Sequence, residues 1–313
     1  MKKDDLLNKE FIYKFRSLIG LLILVIILSL LSPRFLTFSN LTNVLRQTSL
    51  NAIIAVGMTF VILTGGIDLS VGSILALSSA VTAGLLVEGY SVVIAVLIGL
   101  IIGGVIGAFN GIVITRGKIP PFITTLAVMT LVRGATLVYT GGQPITGLGT
   151  VFRKIGTGYI PFINIPVPVI VMLFIFLIAY YTLSQTRFGR YVYALGGNEE
   201  AARLSGINTN RVKTMVYSIS GMLAALSGII LTSRLNSAQP TAGEGYELDA
   251  IAAVVLGGSS LSGGKGSIGG TLIGALIIGI LNNGLNLLDV SPFYQLMAKG
   301  AVILLAVLLD KNK

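Results

Sequence analysis

The sequence predicts an all-α fold, a polytopic membrane bundle of about ten transmembrane helices, and three observations predict it. Only 11% of the 313 residues are charged, against about 25% in a soluble domain. Hydrophobic residues make up 54%, and the mean hydropathy is +0.90. Several apolar runs reach or approach the roughly 20 residues that cross about 30 Å of hydrocarbon. The expected spans are 17–36, 43–64, 69–87, 92–115, 121–139, 167–183, 212–233, 247–258, 268–288 and 293–309. They form a single transmembrane domain over 1–313, with a short soluble helix at 197–206 inside it.

Each element carries its own signal. The first run is followed by Pro33-Arg34-Phe35 and no small-residue cleavage site, so it reads as a span and not as a secretory signal. The second span is amphipathic, and the eighth is short. In the fourth, Gly99, Gly103, Gly107 and Gly111 fall on one helical face, and Gly266, Gly270 and Gly274 do the same at the ninth. Such spacing lets backbones approach closely. The partner is a helix of the same bundle or a second copy of the chain. The stretches 140–166 and 233–245 are long polar connections, either functional loops or plain connectors.

Charge sets the orientation. With the N-terminus inside and alternating spans, fifteen Lys and Arg residues lie on the cytoplasmic side and five outside, while Arg133 and Lys299 fall within spans. This is the positive-inside pattern. It accounts for the net charge of +10 without a nucleic-acid partner, and it places both termini in the cytoplasm. Cysteine and histidine are absent, which excludes disulfides, thiol chemistry and the usual zinc or haem ligation.

Few groups are left to carry chemistry. GGIDLSVG at 65–72 matches GGSSLSGG at 257–264 in five of eight positions. Paired glycines break helices, and broken helices line cavities or protein interiors. Asp68 is the acid expected at membrane depth, with Ser70 beside it. It shapes a pathway, caps the helix that follows, or sits in a loop. Asn282, Asn283 and Asn286 form a polar set, with 282 and 286 on one face. Asparagine in a span glues helices together; its amide also suits a hydroxyl-rich solute, because it both donates and accepts. SLSGGKGS at 260–267 imitates a phosphate-binding loop but has Ser259 for the first glycine and Gly266 for the final Ser or Thr.

One segment is plainly soluble. In NEEAARLSG, 198–206, Asn198 is a good N-cap, and Glu199 and Glu200 occupy the first turn, where the helix dipole favours acids. Ala201 and Ala202 favour helix, Arg203 lies near the end, and Gly206 is placed to stop it after Leu204 and Ser205. Some 12 Å long at about 1.5 Å per residue, it is too short to span. It sits between two spans on the side with the densest positive charge.

GGIDLSVGS at 65–73, GGNEEAARLSGIN at 196–208, SAQPTAGEGYELDAIAAVVLGGSSLSGGKGS at 237–267 and LNNGLNLL at 281–288 together resemble the permease subunit of bacterial ABC sugar importers, in the ribose-type branch. The resemblance runs over nearly the whole chain. It implies a permease homodimer in the inner membrane and a cytoplasmic ATPase, usually two fused modules, that binds ATP and Mg. It also implies a binding protein that delivers sugar outside, with Gln239 and Glu244 as candidate contacts. No cofactor is expected on this chain. Residues 198–206 would be the coupling helix that docks on the ATPase. Two other functions compete: an ion-coupled secondary transporter with Asp68 as its coupling group, and a membrane enzyme, for which no catalytic pair is visible.

Overall fold

A computed structural model describes residues 3–161 and 164–310. Thirteen helices follow in order: α1 (Lys3–Leu31), α2 (Phe38–Leu63), α3 (Val71–Val87), α4 (Val92–Gly117), α5 (Pro121–Thr140), α6 (Thr150–Thr157), α7 (Val167–Gln185), α8 (Arg187–Gly197), α9 (Glu199–Leu204), α10 (Thr209–Leu235), α11 (Tyr246–Leu256), α12 (Ile268–Leu287) and α13 (Pro292–Asp310). Two short strands, β1 (Ile145–Thr146) and β2 (Ser237–Ala238), pair antiparallel.

The polytopic helical bundle is as expected, but its spans are redistributed. Among the described residues, six helices are long and apolar enough to cross a membrane: α2, α4, α5, α7, α10 and α12. Segment Ser17–Leu31 and α3 are apolar but shorter. The expected eighth span is corrected in kind: α11 has 11 residues, about 16 Å at 1.5 Å per residue, too short to cross as one helix, and the loop before it, with Gly243 on Gly72, makes the rest of the return from the end of α10 to Gly264 beside Leu63. The helix stops because Gly257 closes it and Gly258 turns left-handed at φ +91°. The connection 140–166 contains β1 and α6 and is not a plain loop.

The bundle is built around α2, which is buried from Thr48 to Leu63 except at Asn51. α7, α10, α11 and α12 pack around it, and α3 packs on α4, α5 and α10. Outward faces are apolar: Leu22, Ile26 and Leu30 on α1, Val93, Leu97, Ile101 and Val105 on α4, and Leu173, Phe174 and Leu177 on α7 are all exposed. Rows at this spacing with no polar residue are a lipid-facing surface.

The glycine face of α4 resolves its two readings in favour of packing within the bundle. A methyl group at Gly103 would collide with the Gly221 carbonyl of α10, and one at Gly107 with the Tyr217 carbonyl. At Gly111 it would lie 2.5 Å from the Thr214 Cα. On α12, Gly270 and Gly274 likewise press on the Gly257 and Ala253 carbonyls of α11.

Candidate functional site

The soluble knob is built as its residues dictate, with small corrections. The Asn198 side chain accepts from the Ala201 N–H at 3.0 Å, which caps α9. α9 covers six residues, shorter than the expected two turns, because Ser205 is already its C-cap. Gly206 then turns left-handed at φ +84°, and the Gly206 and Ile207 N–H groups return to the Arg203 and Ala202 carbonyls. Glu199 and Glu200 lie in the first turn. Arg203 donates to Glu200 at 2.6 Å, both exposed, and Lys213 of α10 donates to Glu199 at 2.6 Å. Ala202 faces the chain's own interior at 5% exposure, whereas Leu204 stands out at 79%. Every residue from Asn198 to Gly206 is exposed except Ala202, and Glu200, Ala201, Arg203, Leu204 and Ser205 are exposed without a tie to α10 such as Glu199 has.

One residue, Asn198, separates α9 from α8, and α8 is fixed to the bundle. The Thr186 hydroxyl caps it by accepting from Gly189 N–H at 3.2 Å. Phe188 stacks on Phe60 of α2 with ring centroids 6.3 Å apart. At its end the contact is backbone on backbone: a methyl at Gly196 would collide with the Leu63 carbonyl and the Gly264 N–H. Gly264 N–H itself donates to the Leu63 carbonyl at 3.0 Å. Tyr193 donates its hydroxyl to the Gly266 carbonyl at 2.9 Å. Burial pushes that phenol up from its ordinary pKa, so it remains a donor at neutral pH.

The two echoing glycine motifs thus meet at the knob: a methyl at Gly263 would lie 2.9 Å from Gly65 N and 3.1 Å from the Gly196 carbonyl. SLSGGKGS is occupied with this packing, and its Ser260 N–H donates to the Lys265 carbonyl at 2.8 Å.

Asp68 and Ser70 are fully buried. The helix after them begins at Val71, and Asp68 supports its start: one carboxylate oxygen accepts from the Ser70 N–H at 3.1 Å and the Ser70 hydroxyl at 2.6 Å. The other accepts from Ser220 of α10 at 2.9 Å, while Asn110 of α4 donates to Ser70 at 2.8 Å. The cluster ties α3, α4 and α10 together.

The three asparagines separate. Asn283 is buried and exchanges both amide bonds with Asn40 of α2, at 3.0 and 2.9 Å. Asn282 and Asn286 face a polar cavity of about 290 Å³ with Thr48, Asn51, Asp249 and Lys299. Gln239 is half-buried and donates to Ser237 at 3.0 Å, while Glu244 is exposed. The loop between them is not a surface connector. Gly243 presses on Gly72 at the start of α3, and Arg133 holds the loop by donating to the Pro240 and Ala242 carbonyls at 2.8 and 2.9 Å. Reading motifs one at a time missed Arg133, Asp249, Lys299, Lys213 and Gly196. The signal available for Arg133 and Lys299 was a charge inside a span, which normally has a partner.

A knob capped at both ends and locked to a multi-span bundle defines a polytopic membrane protein with a rigid soluble projection. Residues 40–307 match the family described as branched-chain amino acid transport system / permease component, and the chain belongs to that family. It is 64% identical to the ribose import permease protein RbsC of Bacillus subtilis (strain 168), over 94% of this chain and 92% of that protein. It is 57% identical to the ribose import permease protein RbsC of Escherichia coli (strain K12), over 98% and 96%. The D-allose transport system permease protein AlsC of Escherichia coli (strain K12) is 43% identical over 95% and 91%. No solved structure matches the chain.

Proposed function

We propose that the chain is the membrane conduit of an ATP-driven importer of a monosaccharide, ribose first, in a bacterial inner membrane with both termini in the cytoplasm. The observation that carries the reading is α9: a capped helix with an exposed Leu204, set on the chain through backbone contacts of Gly196 with Leu63 and Gly264. A short rigid knob of this kind transmits displacement from a docked protein into the helices behind it. Identity of 64% to a ribose import permease supports the solute.

In this reading a cytoplasmic ATPase of two fused modules binds ATP and Mg and seats on Glu200, Ala201, Arg203, Leu204 and Ser205, with Asn198, Glu199, Ala202 and Gly206 shaping the helix. A second copy of the chain completes the conduit. A sugar-binding protein docks outside, where Glu244 is accessible and Gln239 braces the loop. Asn282 and Asn286 face the solute, while Asp68, Ser70 and Asn283 hold the helices in register.

The test is uptake into proteoliposomes that contain permease, ATPase and loaded binding protein. Ribose is expected to accumulate with internal ATP and to stop accumulating when ATP is withheld under an imposed membrane potential. Uptake that continues on the potential alone overturns the reading in favour of ion coupling. In the same system Leu204→Asp is expected to weaken ATPase association about tenfold, or about 1.4 kcal/mol, measured by co-purification and equilibrium binding.

A further inference from the structure

The cavity between α2, α10, α11, α12 and α13 holds more polar chemistry than packing needs. It measures about 290 Å³, near the lower limit of roughly 300 Å³ for small-molecule pockets. Asn51 lies 13 residues into α2, about 20 Å along its axis, so the cavity is at hydrocarbon depth and not at the surface. A charged residue at that depth costs a few kcal/mol on insertion scales and is normally functional or paired.

Here a pair exists. Lys299 Nζ sits 3.0 Å from Asp249 Oδ2, and Asn51 donates to the same oxygen at 3.2 Å. Asp249 is 3% exposed, and its other carboxylate oxygen accepts from no group among the described residues. Two further atoms on the wall are orphans. Thr48 is 2% exposed and its hydroxyl has no partner; the Asn282 side-chain oxygen is buried and has none either. Buried polar side chains nearly always have a partner, so two orphans on one wall point to an occupant that supplies hydrogen bonds.

Its chemistry follows from the lining. Thr48 and the amides of Asn51, Asn282 and Gln295 offer donors and acceptors together, Lys299 is neutralised by Asp249, and Arg234 adds a guanidinium whose several N–H groups donate to hydroxyl oxygens. Such a wall suits a neutral molecule with many hydroxyl groups. A second, apolar cavity of about 410 Å³, lined by Ile23, Leu24, Ile27 and Leu256, lacks these groups and suits nothing of the kind.

We infer that the polar cavity is a monosaccharide site within each protomer, with Asp249, Lys299, Asn51, Asn282 and Thr48 contacting sugar hydroxyls in transit. This rests on the sugar-import reading above and extends it to residues on α2, α11 and α13. The chain contains no cysteine, so Asn282→Cys places a single thiol in the site, and Gln47→Cys places one at its exposed mouth. The complete importer is assembled in proteoliposomes with ATPase, ATP and binding protein, and labelling by a small methanethiosulfonate reagent is timed. Ribose-loaded binding protein is expected to slow labelling about fivefold or more, as an occupied site does, while sucrose has no effect. Equal rates with and without ribose, at both positions, in an importer that takes up ribose, overturn the inference and make the cavity a hydrated packing defect. Thr48→Val is expected to raise the half-saturating ribose concentration and alter preference among pentose epimers at unchanged membrane abundance; a change in thermal stability alone counts against contact. Failure of the cysteine-free parent to import ribose is a separate result and removes the sugar-import reading itself.

Discussion

The knob and the polar cavity inside the bundle hold their functional groups in opposite ways. At the knob, one continuous stretch from Asn198 to Gly206, with only Ala202 turned inward, makes the surface, and backbone contacts at Gly196 weld it to the bundle. At the cavity the groups arrive from five helices, and two of them, the Thr48 hydroxyl and the Asn282 carbonyl, are left open. A surface meant for another protein must keep its shape when pushed, so it is local and rigid. A site meant for a passing solute has to release it, so it is assembled from parts that can separate.

That contrast breaks most visibly at Gly196. Gly196→Val places carbon where the Leu63 carbonyl and Gly264 N–H already sit, and overpacking of this kind costs about 1–3 kcal/mol. ATP-driven uptake is expected to fall by an order of magnitude while the ATPase still binds Leu204. If hydrolysis and uptake stay coupled at the normal ratio, the weld transmits nothing. A smaller effect is expected at Asn283→Leu, which leaves Asn40 without its reciprocal partner. An unpaired buried amide costs about 1–3 kcal/mol, read as a lower unfolding temperature in detergent with ATPase docking intact. The smallest belongs to Glu200→Gln. Its pair with Arg203 is about two-thirds exposed, and exposed pairs contribute about 0.2–1 kcal/mol. Thermal unfolding should barely move, and a shift as large as that of Asn283→Leu would show that the knob relies on this pair for its shape.

Much of the fold could be read from the chain because the signals are local. Asn198 and Gly206 announce both ends of α9 from side-chain chemistry alone, and apolar runs announce most spans. Failures occurred where tertiary context decides. Ala202 looked like a contact residue because alanine on a short helix is featureless; only the packing turns it inward. Residues 247–258 looked like a span made by one helix because hydropathy does not register that Gly258 ends the helix at a left-handed turn and that the loop before it carries part of the passage. The stretch 233–245 read equally as a functional loop or a plain connector because its polar letters hide that Gly243 packs on Gly72 at the start of α3. Asn282 and Asn283 are adjacent in sequence and differ in role because a 100° step along the helix turns one to Asn40 and the other to the cavity.

The seam between α4 and α10 has a mechanical corollary. Gly103, Gly107 and Gly221 lie against opposing backbone, so a slip of one residue would drive Ile106 or Ala108 into the Tyr217 carbonyl that Gly107 now faces. Such an interlock tolerates no sliding, and close-packed interiors do not deform continuously. Whatever rocking opens and shuts the conduit must therefore swing these two rods as one beam, with the pivots lying at the glycine turns beyond their ends.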